Sequence, residues 1–314
     1  MQISDYKLGD KNVFVIAEIG NNHNGSLELA LEMVDAAHEA GANCVKFQMR
    51  NMASVYRKKS LAKQGEDLGT EYVLDLLERF QLSYSEHKQV AQYCKNKGVL
   101  YMCTPWDSDS IVALEALDVK AYKVASADLT NLPLIEKLIA TKQPIILSTG
   151  MSSTVEIQIT TDFLNARSAE FVLLHCNSTY PAPFHDINLN WINKLKNIHP
   201  LVGYSGHERG IAVTLAAVGL GAKVVERHFT FDRNMEGPDH AASLEQGEFK
   251  ALVSGIREIE EALGCGLDRT ISQGEMINRE NLAKSLVASK DLMKGTVIEP
   301  QHLSVLSPGQ GLSA

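Results

Sequence analysis

The 314-residue sequence has little of several features that define whole classes of protein. No apolar run approaches the ~20 residues that a transmembrane helix needs, so no membrane association is expected. Its five cysteines are an odd number without a C-x-x-C spacing, which argues against a disulfide framework and against a thiolate zinc site. The first ten residues are polar and lack the apolar core of a signal peptide. We therefore expect a reduced, cytoplasmic protein.

Positively charged residues are also fewer than negatively charged ones. The chain carries 30 Lys and Arg against 38 Asp and Glu, a formal net charge of −8. A net negative surface repels nucleic acid and anionic lipid, so neither is expected as a partner. With 45% hydrophobic and 22% charged residues, the composition is that of an ordinary globular protein and excludes disorder and coiled coil.

Strand-like and helix-like segments alternate along most of the chain. The strand-like segments are 12–18, 43–48, 99–104, 121–126, 144–148, 171–175, 201–205 and 223–228. Eight such units in about 265 residues match the α/β class (β/α)8, or TIM, barrel, whose usual size is ~250 residues. A doubly wound sheet is the alternative, but no strand is followed by the G-x-G-x-x-G loop that this fold often carries.

The alternation predicts three regions. Residues 1–264 form the barrel, 265–283 form a linker, and 284–314 form a small appendage of short β-like runs and turn residues. About 30 residues are too few to bury a core of their own.

Polar side chains stand at or just beyond the C-terminal end of every predicted strand, where TIM barrels carry their active sites. These residues are Glu18, Lys46, Gln48, Thr104, Lys123, Ser126, Ser148, His175, Ser178, Tyr180, Ser205, His207, Glu226 and His228. Polar residues end strands in any fold, but their presence at all eight ends predicts a functional site.

Two lysines are the most informative members of this set. Lys46 and Lys123 stand within the apolar runs CVKF and AYKVA. Burying a lysine is costly without an anionic partner, and a phosphate or carboxylate ligand would supply one. The alternative is that both side chains extend along the outside of the barrel into solvent.

Two histidines follow adjacent strands. His207 and His228 could hold one divalent metal ion, act as general acid and base, or simply be hydrogen-bonded. Two imidazoles suit a labile Mn²⁺ or Mg²⁺ site better than structural zinc. His23 is a candidate third ligand.

Two acidic residues complete the candidate site. Glu18 could act as an acid or base, or could only pair with Lys46. Asp239, in the loop after the last strand, could accept hydrogen bonds from substrate hydroxyl groups or merely form a turn.

Longer motifs resemble the N-acetylneuraminate (sialic acid) synthase family, including legionaminate- and pseudaminate-type synthases. The motifs are AEIGNNHNGS at 17–26, VKFQ at 45–48, YKVAS at 122–126, GYSGHE at 203–208, ERHFT at 226–230 and GPDHAASLE at 237–245. They run in order through most of the barrel region. The segments at 285–298 and 308–311 resemble the start of the family's SAF, or antifreeze-like, domain, which is about twice as long in family members. The implied fold is a TIM barrel with an incomplete SAF segment.

The resemblance implies a transferase that condenses phosphoenolpyruvate with the open-chain aldehyde of an N-acylated amino sugar. The products are a nonulosonic acid and phosphate, formed by cleavage of the phosphoenolpyruvate C–O bond through a tetrahedral intermediate. The acceptor would be N-acetylmannosamine or a 2,4-diacetamido trideoxy hexose. A divalent metal, Mn²⁺ or Mg²⁺, and a homodimer are also implied.

The resemblance also implies residue roles. They are catalysis for Glu18, Lys46, Lys123 and Glu226; phosphoenolpyruvate binding for Thr104, Ser126, Ser148, Ser178 and Ser205, together with the two lysines; sugar binding for Gln48, Tyr180 and Asp239; and metal binding for His207 and His228. Ser178 stands where the family often has asparagine, and Ser307 where it often has an arginine that recognises the acyl group. The first departure would alter a phosphoenolpyruvate contact, and the second leaves the identity of the sugar open.

Three alternatives differ in chemistry. One is another phosphoenolpyruvate–aldehyde synthase that uses a phosphorylated sugar. The second is a metal-dependent TIM-barrel hydrolase, although the first strand lacks the His-x-His of such enzymes. The third, a sugar-binding module without catalysis, would leave two buried lysines without a purpose.

Overall fold

The computed structural model of the chain describes residues 1–10, 12–56, 74–264, 266 and 268–314. Residues 57–73, between the second and third predicted strands, lie outside the described residues. The chain divides into two compact units, Met1–Gly264 and Cys265–Ala314.

The first unit begins with a short antiparallel hairpin that the sequence did not predict, formed by β1 (Gln2–Ile3) and β2 (Tyr6–Lys7). Ile3 of this hairpin and the following Leu8 are buried in one apolar cluster with Phe14 and Ile16 from the next strand. The hairpin therefore supplies apolar side chains to the N-terminal end of the sheet that follows.

In the described part of the first unit, eight parallel strands close into a ring. They are β3 (Phe14–Gly20), β4 (Cys44–Met49), β5 (Leu100–Pro105), β6 (Tyr122–Val124), β7 (Ile145–Ser148), β8 (Phe171–Cys176), β9 (Val202–Gly206) and β10 (Val224–Thr230). β10 pairs with both β9 and β3, which closes the barrel, and the short β11 (Leu244–Glu245) pairs with β10 outside the ring. The predicted (β/α)8 TIM barrel is confirmed.

Helices connect the strands. Their bounds are Leu27–Glu39, Met52–Val55, Leu74–Arg79, Tyr84–Lys97, Ser108–Glu115, Leu132–Ala140, Thr154–Asn165, Phe184–Ile187, Trp191–Ile198, Ala212–Gly219 and Gln246–Leu263. Ser26 caps the first of them, because its side chain accepts a hydrogen bond from the Leu29 amide. In the described part of the chain, no helix has both the length and the apolar character needed to cross a bilayer.

The inward positions of the strands change character along the barrel. Apolar side chains fill its N-terminal half: Phe14, Ile16, Cys44, Met102, Ala121, Ile146, Val172, Leu174 and Val224. Side chains two residues apart on a strand share a face, so the next inward positions are Glu18, Lys46, Thr104, Lys123, Ser148, Cys176 and Glu226. An apolar plug thus supports a polar layer at the C-terminal ends of the strands.

The second unit contains a helix and a hairpin. The segment predicted to be a linker holds the helix Gln273–Leu282, which starts at a capping box formed by Ser272 and Glu275. β12 (Ser285–Ala288) pairs antiparallel with β13 (Leu303–Leu306). The SAF assignment of this unit stays a prediction.

Candidate active site

A cavity of about 580 Å³ lies at the C-terminal ends of the barrel strands. The sequence-predicted residues that line it are Glu18, Lys46, Gln48, Thr104, Lys123, Ser126, Ser148, Ser178, Tyr180, Ser205, His207, Glu226 and His228. They meet because the C-terminal ends of parallel strands in a closed barrel share one rim.

Two lysines and two glutamates form the floor of the cavity. The Lys46 Nζ atom lies 2.8 Å from Glu18 Oε2 and 3.9 Å from Glu226 Oε2. The Lys123 Nζ atom lies 3.9 Å from Glu226 Oε1. Lys46 is 3% exposed and Lys123 is 2% exposed, so the alternative that they extend into solvent is wrong.

Hydroxyl groups orient the two ammonium groups. Lys46 Nζ donates a hydrogen bond to Thr104 Oγ1 at 2.9 Å, and Lys123 Nζ donates one to Ser148 Oγ at 2.6 Å. The inward-facing strand positions therefore hold both cations at the cavity wall, where an anionic ligand can meet them.

The pKa values of the two carboxyl groups shift in opposite directions, because burial dominates for Glu18 and the lysines dominate for Glu226. Burial raises the pKa of Glu18 to about 7, although Lys46 opposes the shift. Burial would also raise the pKa of Glu226, but Lys123 and Lys46 together hold it below its ordinary value. Ser205 Oγ also donates to Glu226 Oε1 at 3.1 Å. Glu18 can thus carry a proton near neutral pH while Glu226 stays ionised.

The pKa values of the two lysines also shift in opposite directions. Burial would lower the pKa of Lys46, but Glu18 and Glu226 raise it above its ordinary value. Burial lowers the pKa of Lys123, because no carboxylate lies as close to it. Lys123 is therefore the less neutralised cation of the two.

The two predicted metal ligands lie side by side. The His207 and His228 ring centroids are 5.4 Å apart, and the Tyr180 ring lies 4.0 Å from the His207 ring. His207 Nδ1 is 2.6 Å from the Asn177 carbonyl oxygen. A ring that donates to this carbonyl through Nδ1 keeps the lone pair of its Nε2 for a ligand.

His228 fits a divalent metal through two observations. His228 Nδ1 is buried and has no hydrogen-bond partner among the described residues. Burial lowers the pKa of His228 well below its ordinary value, which keeps the imidazole neutral, as a metal ligand must be. In the described part of the chain, no group of three or more His, Cys, Asp or Glu side chains could hold a metal. A metal here would take its remaining ligands from water or substrate.

Three candidates from the sequence, Asp239, His23 and His175, are not among the residues that line the cavity. Asp239 is fully buried, and its Oδ2 atom lies 3.9 Å from His228 Nδ1. His23 accepts a hydrogen bond from the Gly25 amide at 3.1 Å and packs against Phe47. Burial lowers the pKa of His23 to about 3. His23 therefore stabilises the first loop, is not among the residues that line the cavity, and as a third ligand stays a prediction.

Sequence reasoning missed Cys176 and misplaced His175. The Cys176 thiol lines the cavity, 3.6 Å from Ser126 Oγ and 3.8 Å from Ser178 Oγ. His175 instead makes a 2.7 Å contact between Nε2 and the Ile187 carbonyl oxygen. Side chains alternate along a strand, so the inward-facing Leu174 predicts that His175 faces outward and Cys176 faces the cavity.

A second missed group orients Gln48. The Arg50 guanidinium lies 4.6 Å over the Trp106 ring and donates to Gln48 Oε1, to which Trp106 Nε1 also donates at 3.3 Å. Gln48 Nε2 then donates to Glu18 Oε1 at 2.9 Å. The amide is thus fixed between an indole and a carboxyl group.

Comparison with known proteins gives the family of this chain. The model of the NeuB family matches residues 33–268. The chain belongs to the NeuB family. It is 40% identical over 311 residues to the N,N'-diacetyllegionaminic acid synthase of Campylobacter jejuni, covering 97% of this chain and 93% of that protein. It is 35% identical over 302 residues to the human N-acetylneuraminate-9-phosphate synthase, covering 95% of this chain and 84% of that protein.

A solved structure is similar over most of this chain. The N-acetylneuraminic acid synthetase of Leptospira borgpetersenii, in complex with citrate, matches with a TM-score of 0.80 and 33% identity, covering 88% of this chain and 95% of that one. This NeuB-family chain is therefore a transferase-type synthase, as the motifs predict, rather than a barrel hydrolase or a binding module.

Proposed function

We propose that this protein condenses phosphoenolpyruvate with the open-chain aldehyde of an N-acylated amino sugar, releasing phosphate and a nonulosonic acid. The acceptor is N-acetylmannosamine or a 2,4-diacetamido trideoxy hexose. The observation that carries the proposal is the cavity floor, where two buried lysines among hydroxyl groups face a neighbouring pair of histidines.

The lysine side of the cavity suits the two anionic groups of phosphoenolpyruvate. Lys46 and Lys123 supply charge, and nearby serine hydroxyl groups supply short hydrogen-bond donors. Gly150 closes this side tightly, because an added Cβ would lie 2.2 Å from Ser178 Oγ and 2.7 Å from Ser126 Oγ. A backbone without a side chain at this position leaves both hydroxyl groups room to turn toward a phosphate oxygen.

The histidine side suits the aldehyde. A Mn²⁺ or Mg²⁺ ion held by His207 and His228 supplies Lewis-acid polarisation of a carbonyl oxygen. Tyr180 packs against the His207 ring and lines the same wall, where it can contact the sugar.

The reaction joins C3 of phosphoenolpyruvate to the aldehyde carbon, adds water oxygen at C2, and breaks the bond from C2 to the phosphate oxygen. One water proton ends on the former aldehyde oxygen and the other on phosphate. Glu18, with its pKa near 7, holds or releases a proton in this exchange. Lys46 and Lys123 stabilise the negative charge as the phosphate leaves.

The described lining residues supply two cations, Lys46 and Lys123, at the floor of the cavity. In this proposal both bind phosphoenolpyruvate. The human relative is named for a 9-phosphate product, so the test below includes a phosphorylated acceptor.

Two further properties belong to this proposal. A homodimer is supported by the apolar side chains that the second unit exposes, among them Met293, Val297 and Leu312, and light scattering in solution tests it. A cytoplasmic location is supported by the four described cysteines, which are buried thiols without a disulfide among them.

The test measures phosphate release from phosphoenolpyruvate with N-acetylmannosamine, its 6-phosphate and a 2,4-diacetamido trideoxy hexose. We expect turnover with an unphosphorylated acceptor and a nonulosonic acid by mass spectrometry. In ¹⁸O-water the released phosphate stays unlabelled, because the water oxygen adds to carbon. Phosphate release that needs no sugar, or phosphate that gains ¹⁸O, would refute the reaction.

A further inference from the structure

An ion pair is buried in the barrel wall directly beside the two histidines. Glu208 follows His207 in the chain, and Arg227 precedes His228. The Arg227 Nη1 atom lies 2.9 Å from Glu208 Oε1, and both side chains are 0% exposed. The pair therefore links the segment after β9 to the adjacent strand β10 out of contact with solvent.

The two strands present this pair and the cavity residues on opposite faces. Because side chains alternate along a strand, Glu226 and His228 point into the barrel while Arg227 points outward. Arg227 pairs in register with Gly206, which immediately precedes His207. The ion pair thus lies behind the wall that carries both imidazoles.

Hydrogen bonds hold the carboxylate of Glu208 and the two terminal nitrogens of Arg227. Arg227 Nη1 also donates to the Thr214 hydroxyl and to the Gly210 carbonyl, each at 2.8 Å, and Nη2 donates to the Glu208 carbonyl. The Tyr204 hydroxyl donates to Glu208 Oε2 at 2.7 Å, and Thr214 donates to Oε1 at 3.0 Å. Both carboxylate oxygens and both terminal guanidinium nitrogens are therefore held in place.

The side chains of this network pack closely around Gly206. A Cβ added to Gly206 would lie 2.6 Å from Tyr204 Cε1, 2.7 Å from Glu208 Oε2 and 3.0 Å from Arg227 Cδ. A movement of the pair would therefore move the backbone that carries His207.

Stability alone does not account for such a pair. Well-packed apolar side chains are often as stabilising as a buried salt bridge, because both ions lose their hydration. What the pair adds is geometry, since the planar guanidinium fork holds a carboxylate in one orientation.

We propose that Glu208 and Arg227 are positioning residues that set the spacing of His207 and His228 for a divalent cation. This inference rests on the metal role given to the two histidines under the proposed function. His228 depends most on such support, because its Nδ1 has no hydrogen-bond partner among the described residues. Its position then follows from the backbone that Arg227 anchors.

The experiment measures Mn²⁺ affinity directly, from the electron paramagnetic resonance signal of free Mn²⁺ added to metal-free protein. Loss of an outer partner of a metal ligand typically weakens metal binding 10- to 100-fold. We expect a loss of this size for Glu208→Gln and Arg227→Lys, and a loss of less than about 10-fold for Tyr204→Phe. Arg233→Lys is the control for the substitution itself, because Arg233 makes a 2.6 Å ion pair with Glu248 that is partly exposed and outside the cavity lining.

Thermal unfolding of the metal-free variants separates positioning from folding. Tyr204→Phe removes only the hydroxyl group that donates to Glu208, so its Mn²⁺ affinity can be measured even if a charge variant does not fold. Folded Glu208→Gln and Arg227→Lys with wild-type Mn²⁺ affinity would overturn the inference, as would an equal loss in Arg233→Lys. A wild-type protein that binds no Mn²⁺, or a His207→Ala variant that binds it normally, would overturn the metal site itself and this inference with it.

Discussion

Replacing Lys123 by methionine should weaken phosphoenolpyruvate binding much more than sugar binding. Lys123 is 2% exposed, and the carboxylate near it, Glu226, is 3.9 Å away, whereas Lys46 already lies 2.8 Å from Glu18. Burial lowers the pKa of Lys123 because its charge is poorly compensated, so an arriving anion gains most at this ammonium group. Methionine keeps much of the volume and removes the charge.

The size of the effect follows from the burial of the contact. Removing one partner of a buried, hydrogen-bonded charge pair costs about 2–5 kcal/mol. At about 1.4 kcal/mol per factor of ten, the Michaelis constant for phosphoenolpyruvate should rise about 30-fold at least. Trp106 lines the same cavity, so quenching of its fluorescence by phosphoenolpyruvate reports binding without turnover.

Lys223→Met is the matched control, because Lys223 donates to the Asp10 carbonyl and does not line this cavity. We expect the control to bind phosphoenolpyruvate like the wild type. The reasoning would be refuted by a folded Lys123→Met protein with unchanged phosphoenolpyruvate affinity. An equal rise in the sugar Michaelis constant would also refute it, because the lysine would then not be selective for the anion.

Further predictions address the metal, the glycine beside the serines, and the buried carboxyl group. Exhaustive chelation should abolish turnover and Mn²⁺ or Mg²⁺ should restore it; full activity of the metal-free protein would contradict the metal role of His207 and His228. Gly150→Ala should raise the phosphoenolpyruvate Michaelis constant about 5-fold or more, since overpacking costs about 1–3 kcal/mol. Gly247→Ala, with nothing within 4 Å of its added methyl group, should leave the phosphoenolpyruvate Michaelis constant unchanged. Glu18 has a pKa raised from 4.5 to about 7, so the folded state binds the extra proton between these values and stability is lost as pH rises through them. Glu18→Gln should remove that loss, of the order of a few kcal/mol, in chelator-treated protein unfolded by urea; an unchanged slope would show that Glu18 titrates normally.

The barrel was predictable because its signals are local. Each βα unit shows its own change from an apolar strand to an amphipathic helix, and the eight strands pair with their sequence neighbours around the ring. Lys46 and Lys123 could be recognised for the same reason, since each interrupts an apolar strand. The N-terminal hairpin and the helix Gln273–Leu282 escaped prediction, because very short strands and an isolated capping box are weak signals.

The sequence by itself determined the fold class and the residues that meet at one rim, because parallel strands of a closed barrel all end there. Only the tertiary structure decided which side chains enter the cavity and in what charge state. Asp239 and His23 carry the right chemistry, yet packing places one beside His228 and the other beside Phe47, and neither is among the residues that line the cavity. The pKa of Glu18 depends on burial and on a lysine 28 positions away in the chain, and both arise only when the strands pair.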